Sequence, residues 1–131
     1  MERPSVTFIN RVYPPVRGAS GRVLRDLAKA FSKEGWQVVV ITTGPFATNS
    51  EKDGAIRVIR VPGPEKPHNI VSYALIWLKM LIAAFRAPKT RLVVTLTDPP
   101  FAFSIGYLLK KFRGTRHINW CQDLYPDILP A

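Results

Sequence analysis

The chain has 131 residues, 47% of them hydrophobic, and a formal net charge of +10. That length suits one domain with a sizeable core, spanning 1–131, and that apolar fraction excludes a disordered chain. Cys121 is the only cysteine, which excludes an internal disulfide framework, and the surplus of cations points to an anionic partner: a nucleic acid, an acidic membrane face or a phosphorylated substrate.

The N-terminal residues MERPSVTFIN enter a strand directly, without the basic segment, apolar run and cleavage site of a signal peptide. Val6–Asn10 is the first predicted strand. Tyr13 to Phe31, YPPVRGASGRVLRDLAKAF, then sets a glycine-bearing loop ahead of an amphipathic helix over Gly21–Glu34. Val23, Leu24, Leu27, Ala28 and Phe31 recur at helical spacing, Ser20 is placed to cap, and Gly35 sits where a C-terminal glycine belongs. Free N–H groups at the helix start, small residues and Arg17 and Arg22 alongside suit a phosphate, pyrophosphate or carboxylate. Gly18 and Gly21 do not make GxGxxG and no Gly-Lys-Ser/Thr follows, so a dinucleotide domain or a phosphate-loop NTPase is disfavoured. From spacing alone the two glycines either bind an anion or merely turn the chain.

Gln37–Thr42 carries the continuous β-branched run Val38-Val39-Val40-Ile41 of a strand covered on both faces. Gly44 to Gly54 reads as a polar loop. Ile56–Val61 is a third strand, and Arg57 and Arg60 within it place it at the sheet edge. Asn69 to Ala87 is a long helix, apolar almost all round, that is either buried or touching lipid. The sixteen residues from Ile70 to Phe85 reach roughly 24 Å, short of the roughly 30 Å hydrocarbon core, and Lys79 lies near the middle, so a transmembrane span is disfavoured. Tyr73 and Trp77, flanked by Arg86 and Lys89, are candidate interfacial contacts.

Arg91–Thr97 is the fourth strand and stops at Asp98-Pro99-Pro100, where Asp98 can cap a helix that ends near Gly114. Lys110, Lys111, Arg113 and Arg116 gather there, as the helix macrodipole favours. Arg116–Cys121 is a fifth strand leading into Gln122–Ile128. Strands alternating with helices, each crossover long enough for a parallel return, predict an α/β fold with an open, doubly wound parallel sheet. Ligands bind such sheets beyond the strand carboxyl ends, where the loops Arg11–Gly21, Thr97–Pro100 and Gln122–Asp127 would meet. His68, His117 and the carboxylates show no metal-ligand spacing, and no second group singles out Cys121 as a nucleophile.

The order YPPVRGASGRVLRDLAKAF, WQVVVITTGP, VTLTDPPFAFSIGYLLKKF and QDLYPDI resembles the N-terminal half of a glycosyltransferase family 4 enzyme with the GT-B fold, over nearly the whole chain. It is similar to members that build bacterial surface polysaccharides on lipid carriers. The resemblance implies two facing Rossmann-like domains, of which this chain is the acceptor side. The donor-binding C-terminal domain is then missing, and the chain alone is expected to be inactive, as a truncation or as one half of a split enzyme. The implied reaction moves a sugar from a nucleotide-sugar donor (a nucleoside-diphosphate sugar) to a lipid-linked or glycan acceptor, with retention at the anomeric carbon. No cofactor and no metal are expected. The resemblance directs Arg17, Gly18, Ser20 and Gly21 to the donor phosphates or acceptor, with Asp98 at the same rim. Gln122 stands where many members have a histidine; an amide cannot serve as a base but can position the sugar. Asp123 either meets an acceptor hydroxyl or caps a turn before Tyr125-Pro126.

The implied location is cytoplasmic, peripheral on the inner face of the plasma membrane, with an anionic membrane surface as partner. Two other classes compete. A non-catalytic interaction subunit of a split glycosyltransferase fits the missing half. A basic nucleic-acid-binding domain fits the charge alone, without zinc-ligand pattern, RNP-type strand or basic helix, so nucleic acid is not expected as a partner.

Overall fold

A computed structural model describes residues 4–11, 13, 19–44, 48–63, 69–87, 89–96 and 102–119. Its elements run β1 (Ser5–Ile9), α1 (Ala19–Lys33), β2 (Gln37–Gly44), β3 (Thr48–Asp53), β4 (Ile56–Pro62), α2 (Ile70–Arg86), β5 (Leu92–Thr95), α3 (Ala102–Arg113) and β6 (Arg116–Asn119). They form a six-stranded sheet in the order β3-β4-β2-β1-β5-β6. Every neighbouring pair is parallel except β3 with β4, which is antiparallel. The parallel strands therefore have the order of a Rossmann-like doubly wound sheet, with one antiparallel strand added at the edge.

The continuous β-branched run of β2 is explained by a core on each face. Val38 and Val40 point to the α1 side, with Val6, Phe8, Leu24, Ala28 and Val58. Val39 and Ile41 point to the other, with Ile9, Ile59, Ile76, Met80, Ile105 and Leu109 from α2 and α3. Alternate side chains of a strand face opposite ways, so only an all-apolar stretch can fill both layers. Phe31 of α1 stands edge-on between Phe8, 5.5 Å away, and Trp36, 5.0 Å away, closing the α1 layer at its lower end.

Two sequence expectations are corrected. The segment from Gly44 to Gly54 is not all loop, because Thr48–Asp53 forms β3. Consequently Ile56–Val61 is not the edge strand; β4 lies between β3 and β2. The sequence Thr-Asn-Ser-Glu-Lys-Asp has no apolar residue to reveal a strand, since polar side chains make its attachment. Arg60 is only 5% exposed, and its guanidinium donates through Nε and Nη2 to both carboxylate oxygens of Glu51, at 2.9 and 3.2 Å. Arg60 therefore joins β4 to its neighbour rather than marking a free edge. Asp53 pairs with Ile56 across a two-residue turn, and Gly54 takes its first position at φ 65°, a region that strains any side-chain-bearing residue.

α2 keeps the predicted limits. Asn69 caps it, its side-chain oxygen accepting from the Ser72 N–H at 2.9 Å, and Ala87 ends it. At that end Arg113 of α3 donates to the carbonyls of Ala84 (3.0 Å) and Ala87 (3.2 Å), which satisfies acceptors left over by the helix. The cation-rich end of α3 thus has one structural member. Trp77 is also structural: it is partly buried, and its indole N–H donates to the Ser104 hydroxyl at 2.9 Å, so it holds α2 to α3 rather than facing an interface.

Candidate functional site

The connection from β1 turns to β2 on one side, while the next parallel neighbour, β5, lies on the other. The carboxyl ends of β1 and β5 therefore flank the point where the strand order reverses, the position at which such sheets open a crevice. α1 begins on this rim, because it follows β1 and returns antiparallel to it.

The chain leaving β1 is fastened before it reaches α1. Asn10 is fully buried, and its N–H donates to the Ile41 carbonyl at 3.1 Å. The Arg11 carbonyl accepts from the hydroxyls of Thr42 (2.9 Å) and Thr43 (2.7 Å) and from the Thr43 N–H (3.2 Å). Tyr13 is 1% exposed. Its hydroxyl donates to Asp53 Oδ2 at 2.7 Å, and the Arg60 guanidinium lies 5.8 Å from its ring centroid. Arg60 Nη1 also donates to the Thr43 carbonyl at 2.9 Å. Arg25 of α1 completes the cluster with two hydrogen bonds to Asp53, at 2.8 and 3.2 Å.

This cluster sets its own protonation. The Arg25 hydrogen bonds, with that of Tyr13, hold the Asp53 carboxyl below its ordinary range against the opposing effect of burial. Burial first, and then the hydrogen bond to Asp53, push the Tyr13 phenol upward. Arg25 therefore serves the β3 attachment.

A second cluster stands at the ends of β5 and β6. Buried Thr95 donates its hydroxyl hydrogen to Asn119 Oδ1 at 2.9 Å and lies 2.8 Å from His117 Nε2. Since a hydroxyl has one hydrogen, Nε2 must donate to Thr95, which fixes the tautomer. Burial, followed by repulsion from Lys110, lowers the His117 pKa, so the ring is neutral near pH 7. The ring occupies the space a side chain on Gly106 of α3 would need.

The expected site residues divide unequally. Ser20 and Gly21 lie in the first turn of α1, on the crevice rim, and Gly21 is buried. Arg17, Gly18, Asp98, Gln122 and Asp123 lie outside the described residues, as does Cys121. Leu96 and Asn119 are the described residues next before Asp98 and Gln122 in the chain, and both belong to this carboxyl-end rim. Asn10, Thr95 and Asn119 were not singled out by sequence; a polar residue at or just after the end of a strand was the available signal. Among the described residues no three His, Cys, Asp or Glu side chains gather as metal ligands.

The fold recurs in known structures. Sucrose-phosphate synthase from Thermosynechococcus elongatus superposes with a TM-score of 0.69 at 18% identity, over 89% of this chain and 32% of that one. The C-terminal domain of PF1911 hydrogenase from Pyrococcus furiosus superposes with a TM-score of 0.58, also at 18% identity, over 91% of this chain and 93% of that one. At such identities the likeness is one of fold. The chain spans about a third of the synthase. No curated protein matches the sequence. Residues 18–129, running from the first loop to beyond β6, match the family described as glycosyl transferase 4-like domain, and the chain belongs to that family.

Proposed function

We propose that this chain is the acceptor side of a retaining glycosyltransferase that takes sugar from a nucleoside-diphosphate sugar and delivers it to a lipid-linked or glycan acceptor in polysaccharide assembly. The observation that carries the reading is the meeting of the α1 N-terminus with the β1–β5 switch point in a chain of the glycosyl transferase 4-like family. A second Rossmann-like domain, in the same polypeptide or on a partner subunit, holds the nucleotide.

The chemistry asks for stabilisation of a departing diphosphate and for orientation of an acceptor hydroxyl. The first-turn N–H groups around Ser20 and Gly21 supply partial positive charge, and Arg17 adds a full one, so no metal ion is required. Gly18 lets the backbone approach the phosphates. On the acceptor side Gln122 positions the transferred sugar, Asp123 receives a hydrogen bond from the acceptor hydroxyl, and Asp98 lines the same rim. The Tyr13–Asp53–Arg25 cluster holds the first loop at its entry.

In the protein that contains both domains, Gln122→Ala and Asp123→Ala lower kcat for sugar transfer by roughly tenfold or more, and Arg17→Ala raises the donor KM. Wild-type kinetics in all three variants contradict the assignment.

A further inference from the structure

The amino ends of β5 and β6 lie at the opposite edge of the sheet from the crevice. A depression of about 900 Å³ opens there, lined by Trp36 just before β2, by Thr90 and Arg91 just before β5 and by Gly114 and Thr115 just before β6. The backbone around it is fixed. The Arg116 N–H donates to the Arg91 carbonyl at 3.1 Å, and the Arg91 N–H donates to the Ser5 hydroxyl at 3.0 Å. Buried Thr90 donates its hydroxyl hydrogen to the Leu92 carbonyl at 3.0 Å and lies 2.7 Å from the Thr7 hydroxyl. Gly114, at φ 70°, closes α3 by donating to the Lys110 carbonyl at 3.0 Å.

The charge around this depression is of one sign. Lys89, Arg91, Lys110 and Arg116 line it and are exposed, and no described lining residue is acidic. Among the described residues none of these four is ion-paired with a carboxylate. From Lys66 to Gln122 the sequence holds a single acidic residue, Asp98. The macrodipole of α3 accounts for a cation in its last turn, such as Lys110, but Lys89, Arg91 and Arg116 lie outside the helices. Chain segments before β5 and before β6 therefore hold like charges side by side despite their repulsion. The field reaches His117 on the wall, whose pKa is lowered first by burial and then by Lys110.

We propose that this depression is a second anion site, for a small soluble ligand carrying two or three linked phosphates, with Lys89, Arg91, Lys110 and Arg116 as its counter-charges. Size and charge choose the ligand. A cavity of this volume suits a small molecule and not the extended footprint of a protein or a nucleic acid. Four cations call for more negative charge than one carboxylate brings. A di- or triphosphate concentrates that charge on one body, and its oxygens match the guanidinium forks of Arg91 and Arg116. Because Leu92 and Arg116 are paired at the amino ends of parallel strands whose carboxyl ends form the crevice rim, the site is independent of the function proposed above.

Titrating the ¹⁵N-labelled chain with inorganic tripolyphosphate tests this. The amides of Thr90 and Thr115 shift saturably, and sulfate binds there at least about tenfold more weakly. Arg91→Glu/Arg116→Glu and, separately, Lys89→Glu/Lys110→Glu each reduce the affinity read at these amides about tenfold or more while circular dichroism stays that of wild type. Lys52→Glu/Lys79→Glu, which makes the same charge change on other surfaces, alters it by less than about threefold. Arg17→Ala leaves the Thr90 and Thr115 shifts as they are, which separates this site from the crevice. Amides of Thr90 and Thr115 unmoved by tripolyphosphate, wild-type affinity in both charge-reversed pairs, equal affinity for sulfate, or displacement of tripolyphosphate by phosphatidylglycerol vesicles at equal phosphate would overturn the proposal.

Discussion

Tyr13 and Asp53, 40 residues apart, meet through a 2.7 Å hydrogen bond that ties the chain leaving β1 to the antiparallel edge strand. The phenol is buried and its acceptor is a carboxylate already engaged by Arg25, so the contact is charge-assisted. Tyr13→Phe removes the hydroxyl and leaves Asp53 its Arg25 bonds, which is expected to cost about 1–2 kcal/mol in urea unfolding.

The same pair gives stability a pH signature at each end. The Tyr13 phenol is raised on folding, so its contribution is complete below its unfolded value of about 10 and falls as pH rises above that. Asp53 is lowered, chiefly by Arg25; its contribution is complete above the ordinary carboxylate range and falls as pH drops through the folded value. Unfolding midpoints measured across pH should decline at both ends, with the alkaline decline smaller in Tyr13→Phe and the acid decline smaller in Asp53→Asn.

Glu51→Gln weakens the ion pair to buried Arg60. Glu51 is itself a third exposed, so a cost of about 1–3 kcal/mol is expected, below that of breaking a fully buried pair. Replacing both partners, as Glu51→Gln/Arg60→Met, should cost less than the sum of the single changes in a double-mutant cycle.

Gly106→Ala puts a methyl group into the His117 ring and should destabilise by about 1–3 kcal/mol. His117→Ala vacates that space, so the double variant Gly106→Ala/His117→Ala should recover part of the loss. Strict additivity in thermal unfolding would contradict the packing.

Strands and helices with an apolar pattern could be read directly: β2 from its unbroken β-branched run, α2 from its length and the Asn69 cap, and α1 up to Gly35, which has φ 93°. β3 could not, because besides its backbone pairing with β4 it is held by Glu51 on Arg60 and by Asp53 on Tyr13 and Arg25, and periodicity carries no trace of such polar pairing. Arg60 misled for the same reason, since an arginine in a strand is equally at home on a free edge and in a buried ion pair. The convergence of β1, β5 and β6 at one rim followed from alternation of elements and handed crossovers. The Thr95–His117–Asn119 contacts needed the β5–β6 register, which pairs Val93 with His117 and Thr95 with Asn119.

The central claim is that the α1 N-terminus at the β1–β5 crevice receives the phosphates of a nucleotide-sugar. Titrating the ¹⁵N-labelled chain with pyrophosphate and following the amides of Ala19, Ser20 and Gly21 tests it most directly. Saturable shifts at these amides, weakened in Arg17→Ala, are predicted; amides unmoved by pyrophosphate, or shifts confined to the cationic end of α2, would contradict it.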